Sequence, residues 1–184
     1  MSKKSSFNHR GFASFENVLK ELNETTEFVD LVQKTWEYFV DTPNAAESYA
    51  SQLVGGKVKV IEARQLSAKS ANATFRVLLN DQCLDTWGYL NTPFACTLGD
   101  MLTIHVTACI LQKINVQFIS LNISTHCVNR APPGDEIEVF IESLEFNRER
   151  GFSRAEIRRS SDGLLLYLVT QTMKPLTLEI PKMQ

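Results

Sequence analysis

Along the first third of the chain, hydrophobic residues recur at helical spacing; beyond residue 57 they mostly alternate with polar ones. Residues 13–50 carry Phe15, Val18, Leu19 and Leu22, then Phe28, Leu31, Val32, Trp36, Phe39 and Val40, at the three- and four-residue intervals of amphipathic helices. Thr25 or Thr26 suits the cap of the second run, with acids in its first turn. Pro43 and Asn44 break the pattern, a short helix to Gln52 fits the next stretch, and Gly55-Gly56 punctuates the chain. Lys57-Val58-Lys59-Val60-Ile61-Glu62-Ala63-Arg64 then alternates as a half-buried strand does. Residues 73–79 read as its hairpin partner across a connection at 67–72.

Residues 93–111 are apolar nearly all round. Pro93 suits the first turn of a helix and Asn91 or Thr92 its cap. Such a helix has to be covered on most sides. Val106 and Thr107 weaken its intrinsic propensity, so packing has to hold it. The last third predicts strands at 114–125, 136–146, 153–159 and 164–174. Pro132-Pro133-Gly134-Asp135, Asn147-Arg148-Glu149-Arg150-Gly151 and Ser160-Ser161-Asp162-Gly163 supply the turns. Short turns between consecutive strands predict an antiparallel meander. Helices, two strands, one buried helix and four strands together predict an α+β domain whose sheet wraps the helix.

Composition limits the classes. The chain has 184 residues, 43% hydrophobic and 22% charged, with net charge −2. That is enough for a globular domain with a core, and it lacks the basic excess of a nucleic-acid binder. Asp100 and His105 interrupt the apolar segment, which argues against a membrane span. The first fifteen residues hold Lys3, Lys4 and Arg10 and no acid, which fits a disordered tail or a mitochondrial presequence. The expected location is the cytoplasm, with mitochondria as the alternative. We divide the chain into a tail (1–12), an N-terminal helical extension (13–52) and a main domain (53–184). Cys83, Cys96, Cys109 and Cys127 form no CxxC pair and no metal-ligand spacing with the three histidines, so they read as reduced structural residues.

Asp100 is the foremost candidate for chemistry. An acid in an apolar helix usually has a task or a partner, and apolar surroundings would raise its pKa toward that of a useful base. His105 lies five residues on, off the Asp100 face, and reads as a satisfied core or interface histidine. His126 reads as structural or surface. Arg148, Arg150, Arg154, Arg158 and Arg159 bracket one hairpin, with Lys113 and Arg130 elsewhere. Guanidinium groups of this kind suit phosphate, or form a solvated face alternating with Glu149 and Glu156. Phe28, Trp36, Tyr38 and Phe39 fit core packing of the N-terminal helices, an acyl tunnel or an oligomer contact.

Residues 85–125 resemble the hotdog-fold acyl-CoA thioesterases of the phenylacetyl-CoA-pathway type and their mitochondrial animal relatives. The family pattern is a His-Gly-Gly loop followed by a buried helix with an acid nine positions after the His. A strand with a Ser-x-Asp-like segment and a Gly-Glu/Asp turn come next. Here Asn91-Thr92-Pro93 stands in place of His-Gly-Gly, and Phe94-Ala95-Cys96-Thr97-Leu98-Gly99-Asp100 matches the helix and its acid. Ser120-Leu121-Asn122-Ile123 and Gly134-Asp135-Glu136-Ile137 match the strand and the turn. The resemblance spans about residues 57–174 and leaves residues 1–52 outside it. It implies a hotdog fold, in which an antiparallel sheet wraps a central helix, and hydrolysis of an acyl-CoA to free acid and coenzyme A. No cofactor is implied, because coenzyme A is part of the substrate.

By the same resemblance Asp100 would be general base or nucleophile, and the Thr92 N–H the main oxyanion donor. Asn91 could donate through its amide, and Ser120 would orient water. Asp85 falls where some members place an Asn on the thioester oxygen, so its carboxylate would have to be protonated or turned away. Arg148, Arg150, Arg154 and Lys113 are the candidates for the coenzyme A phosphates. The resemblance also implies a homodimer or dimer of dimers, with Asp100 of one chain facing the helix start of the other. The altered loop keeps a second reading open, a non-catalytic or weakly active acyl-CoA-binding or interaction protein. A hydratase of the same fold is the third, although no Asp–His motif of that kind is clear.

Overall fold

The computed structural model describes residues 27–41, 57–111, 116–147 and 149–177. In chain order the elements are α1 (Phe28–Asp41), β1 (Val58–Ser67), β2 (Ser70–Leu78), a 3-10 turn (Asp81–Cys83), α2 (Thr92–Leu111), β3 (Val116–Cys127), β4 (Glu136–Phe146), β5 (Gly151–Arg159) and β6 (Leu165–Thr177). The predicted helices at 13–26 and 42–52, with Thr25 and Thr26, lie outside the described residues, as do the side chains of Tyr38 and Phe39.

Six antiparallel strands form one sheet in the order β1-β2-β4-β5-β6-β3. Two expectations need correction. The β1–β2 hairpin turns on residues 68 and 69 alone, tighter than a 67–72 connection. The Ser67 and Ser70 hydroxyls meet at 2.7 Å, and the Lys69 N–H donates to Ser67 Oγ at 3.1 Å, so local hydroxyls close the turn. The meander prediction holds only for β4, β5 and β6; β3 pairs with β6 at the sheet edge instead of with β4. Residues 128–135 between them include Pro132 and Pro133, which lack the N–H a ladder needs, so the chain crosses over rather than folding back.

The alternation seen in sequence becomes one apolar face. Ala71, Ala73, Phe75 and Val77 of β2, Ile137, Val139 and Ile141 of β4, Ala155 and Ile157 of β5, and Val169 of β6 are all buried. They close on α2, which buries Phe94, Ala95, Leu98, Gly99, Leu102, Thr103, Val106, Thr107, Cys109 and Ile110. Each large aliphatic side chain so buried contributes about 1.5–3 kcal/mol. α2 is long and apolar enough to cross a membrane, but it is the enclosed core helix of this fold. Gly99 sets how closely it approaches the sheet, since a Cβ there would lie 2.8 Å from Val169 Cγ1.

α1 seals one flank. Val32 is fully buried and Trp36 is 2% exposed. The indole packs edge-on to His105, with centroids 5.2 Å apart, and lies 6.4 Å from the Phe75 ring. His105 Nε2 donates to the Val32 carbonyl at 3.0 Å, with Thr35 Oγ1 3.3 Å away. Burial lowers the His105 pKa to about 4, outweighing the opposing effect of that carbonyl, and the ring is neutral at pH 7. Burial likewise pushes the Cys109 thiol up to about 12. His105 is thus the satisfied core histidine expected from its spacing. At the β1 edge, Gln33 Oε1 accepts from the Val60 N–H at 2.9 Å, capping a ladder donor with a side chain of α1.

Candidate active site

The start of α2 is built by local chemistry. Asn91 Oδ1 accepts from the Phe94 N–H at 3.3 Å and the Asn91 carbonyl from the Ala95 N–H at 3.0 Å, so Asn91 is the cap. Pro93 has no N–H. Among the described residues, the Thr92 N–H is therefore the free backbone donor of this helix end. Tyr167 of β6 fixes it from below. Its hydroxyl donates to the Leu90 carbonyl at 2.8 Å and so accepts from Thr92 Oγ1 at 3.0 Å. Burial raises the Tyr167 pKa and Cys127 adds to that, against the Thr92 bond, so the hydroxyl keeps its proton.

The Asp85 carboxylate, close enough to act on Tyr167, is held by three donors. Its Oδ1 accepts from the N–H groups of Trp87 at 2.9 Å and Tyr89 at 3.0 Å, and its Oδ2 from Arg130 at 3.2 Å. Burial works to raise its pKa, but the two N–H groups and Arg130 prevail and hold the carboxyl below its ordinary range. Asp85 stays ionised and closes its own loop. Arg130 completes that loop by lying over the Trp87 and Tyr89 rings, 5.0 and 4.8 Å from their centroids.

Asp100 lies two turns into α2, half-buried, facing the edge strand β3. Its surroundings are polar, which corrects the apolar setting expected from sequence. Ser120 Oγ donates to Asp100 Oδ1 at 2.7 Å, and Gln171 Nε2 donates to the same oxygen. Gln171 Nε2 also donates to Ser120 Oγ at 2.7 Å, and Gln171 Oε1 accepts from Thr103 Oγ1. The structure thus places two of the candidate residues, Asp100 and Ser120, within hydrogen-bond distance of each other. Gln171 and Tyr167 were missed. Their signal was present: Tyr167, Val169, Gln171 and Met173 form the inward row of β6, and a Gln 1% exposed in such a row needs partners.

The predicted phosphate ligands are scattered. Arg154 stands on the outer sheet face, across from α2, and pairs with Glu142 and with Glu156 at 3.9 Å. Arg158 pairs with Glu156 at 2.7 Å and Arg159 with Asp162 at 2.6 Å. Arg150 is exposed at the β4–β5 turn, while Lys113 and Arg148 lie outside the described residues. His126 is exposed on β3, opposite Leu168.

A sheet of order β1-β2-β4-β5-β6-β3 around one helix has close counterparts among solved structures. Zebrafish thioesterase superfamily member 2 superposes with a TM-score of 0.64 at 18% identity, over 80% of this chain and 97% of that one. The chain has the hotdog fold. Mouse thioesterase superfamily member 2 gives a TM-score of 0.62 at 14% identity, over 83% and 99% of the two chains. A hypothetical thioesterase protein of Streptococcus pneumoniae, solved with coenzyme A, gives 0.51 at 13% identity, over 65% and 85%. At these identities the likeness is one of fold. No family model and no curated protein matches the sequence.

Proposed function

We propose that this hotdog-fold protein is an acyl-CoA thioesterase that works as a homodimer, with Asp100 as general base or nucleophile. The observation that carries this reading is the Asp100 carboxylate. One of its oxygens is held by Ser120 and Gln171, and Oδ2 takes no hydrogen bond from the described residues. A free, oriented carboxylate oxygen is what water activation or attack on a thioester requires. The fold likeness to proteins named thioesterases, one of them solved with coenzyme A, supports the substrate class.

The second requirement is an oxyanion donor, and the Thr92 N–H at the positive end of α2 is suited to it. About 12 Å of helix rise separates Thr92 from Asp100, so one carbonyl cannot touch both in the same chain. Two antiparallel copies would bring the helix start of one to the Asp100 of the other. The sheet offers a place for that pairing. Gln33 of α1 caps a β1 donor, whereas among the described residues no strand lies beside the outer edge of β3, and its Ile119 and Leu121 are 41% and 50% exposed. A second β3 laid along this edge would cover Ser120 and Asp100. Exposed Arg150 is the described candidate for the coenzyme A phosphates.

A specific observation favours the second reading, an acyl-CoA binder with little turnover. Pro93 lacks an N–H and Asn91 occupies that of Phe94, which leaves a single backbone donor. Losing one oxyanion donor typically costs about 10²-fold or more in rate. Steady-state hydrolysis of a panel of acyl-CoAs, with binding measured in parallel, separates the two. Turnover that falls by about 10²-fold or more in Asp100→Asn with binding retained supports the enzyme. Binding without turnover in the wild type supports the binder, and hydration of crotonyl-CoA would replace both.

A further inference from the structure

Among the described residues, Gln171 is the one buried side chain that touches both Asp100 and Ser120, and its other end faces Thr103 Oγ1. From these contacts we propose that Gln171 is the positioning residue of the site: it selects Asp100 Oδ2 as the working oxygen and turns a Ser120 lone pair toward the attacking water. The proposal rests on the thioesterase reading above and adds to it the residue that sets the geometry.

A primary amide has one acceptor oxygen and two N–H donors. The Asp100 carboxylate offers only acceptors, so it takes the NH2 end of Gln171 and leaves Oε1 toward Thr103 Oγ1, whose single proton is shared with the Gly99 and Asp100 carbonyls at 2.8 and 3.1 Å. Both hydrogens are then used, one on Asp100 Oδ1 and one on Ser120 Oγ. Ser120 Oγ has a single proton, and with Gln171 occupying one of its lone pairs that proton goes to Asp100 Oδ1 at 2.7 Å. Two consequences follow for the open side of the cluster. Asp100 Oδ1 is taken up by two donors, which leaves Oδ2 to receive a proton from water or to attack the carbonyl. Ser120 keeps one acceptor lone pair, enough to hold a water hydrogen beside Oδ2. Gln171 never reaches the substrate: it is 1% exposed and acts through the two residues it orients. Gly99 makes the reach possible, because a Cβ there would push α2 off Val169, two residues from Gln171 on the same strand.

The test compares the full-length wild type with Gln171→Leu, Gln171→Glu and Thr103→Val in acyl-CoA hydrolysis. Gln171→Leu keeps the volume and removes the amide; the expected result is a fall in kcat of about 10- to 100-fold with KM within about 2-fold. Thr103→Val frees the amide to flip, and a smaller fall of about 3- to 10-fold in kcat is expected. Gln171→Glu places a second carboxylate against Asp100, so the acid limb of the kcat profile moves to higher pH. A crystal structure of Gln171→Leu provides a readout that needs no turnover, and it is expected to show the Asp100 carboxylate rotated off Ser120. A folded Gln171→Leu protein with kcat unchanged and an unmoved pH profile overturns the proposal, as does a structure in which Asp100 and Ser120 hold their places. Absence of turnover in the wild type sinks the thioesterase reading instead, and the crystal structure still decides whether Gln171 sets the cluster.

Discussion

Asp100 and His105 stand five residues apart on α2, and the fold treats them in opposite ways. His105 lies under α1, edge-on to Trp36, with its Nε2 bonded to a backbone carbonyl and its charged form suppressed by burial. Asp100 faces the edge strand, with one oxygen anchored by Ser120 and Gln171 and the other open. The first arrangement uses the His105 ring to tie α2 to α1. The second leaves Asp100 Oδ2 without a hydrogen bond among the described residues. A titratable group in a core is therefore no guide to chemistry by itself; the two differ in whether every hydrogen-bonding atom is used among the described residues.

The comparison breaks first at Trp36. Trp36→Ala empties the space between α1, Phe75 and His105 and is expected to cost about 3–5 kcal/mol by chemical denaturation, while kcat per folded molecule stays near wild type. A large loss of kcat at full folding would join the two regions into one functional unit. Next comes pH. Between about pH 6.5 and about 4 the unfolded chain binds a proton on His105 that the folded chain refuses, so stability falls as pH drops through that window. The loss has a ceiling of about 3 kcal/mol. His105→Gln keeps a donor for Val32 and has nothing to titrate, so denaturation curves at pH 7 and pH 4 should lie closer together for it than for wild type.

Gly99→Ala sits between the two regions. Its Cβ would meet Val169 at 2.8 Å, and the overpacking is expected to cost about 1–3 kcal/mol. Because the displacement occurs beside Asp100, kcat is expected to fall as well, which distinguishes it from Trp36→Ala. Ser120→Ala is the mildest change. It should leave thermal stability almost unmoved and lower kcat about 10-fold, because a water ligand is lost while the Asp100 carboxylate stays held by Gln171.

The fold was largely legible in the chain because hydrophobic period is a local signal. The apolar segment at 93–111 predicted a helix covered on most sides, and the alternation from residue 136 onward placed β4, β5 and β6 close to where they lie. Partnership was harder to read. Nothing in the residues of β3 says that it runs beside β6, since a strand's period shows which face is buried and not which neighbour it meets. The site divides in the same way. Asp100 stood out as a charge in an apolar helix, whereas Gln171 lies 71 residues further on and looked like an ordinary strand residue until its inward row was identified.

By itself the sequence determined that a sheet would wrap an apolar helix, that Asn91 or Thr92 would start that helix, and that an acid would stand inside it. Those outcomes follow from periodicity, capping and the cost of burying charge, each acting within a few residues. Only the tertiary structure decided that Asp100 meets Ser120 and Gln171, that Arg130 reaches back to Asp85, and that β3 is left as an open edge. Those are contacts between segments distant in the chain, set by which strands pair and how closely Gly99 lets the helix approach them.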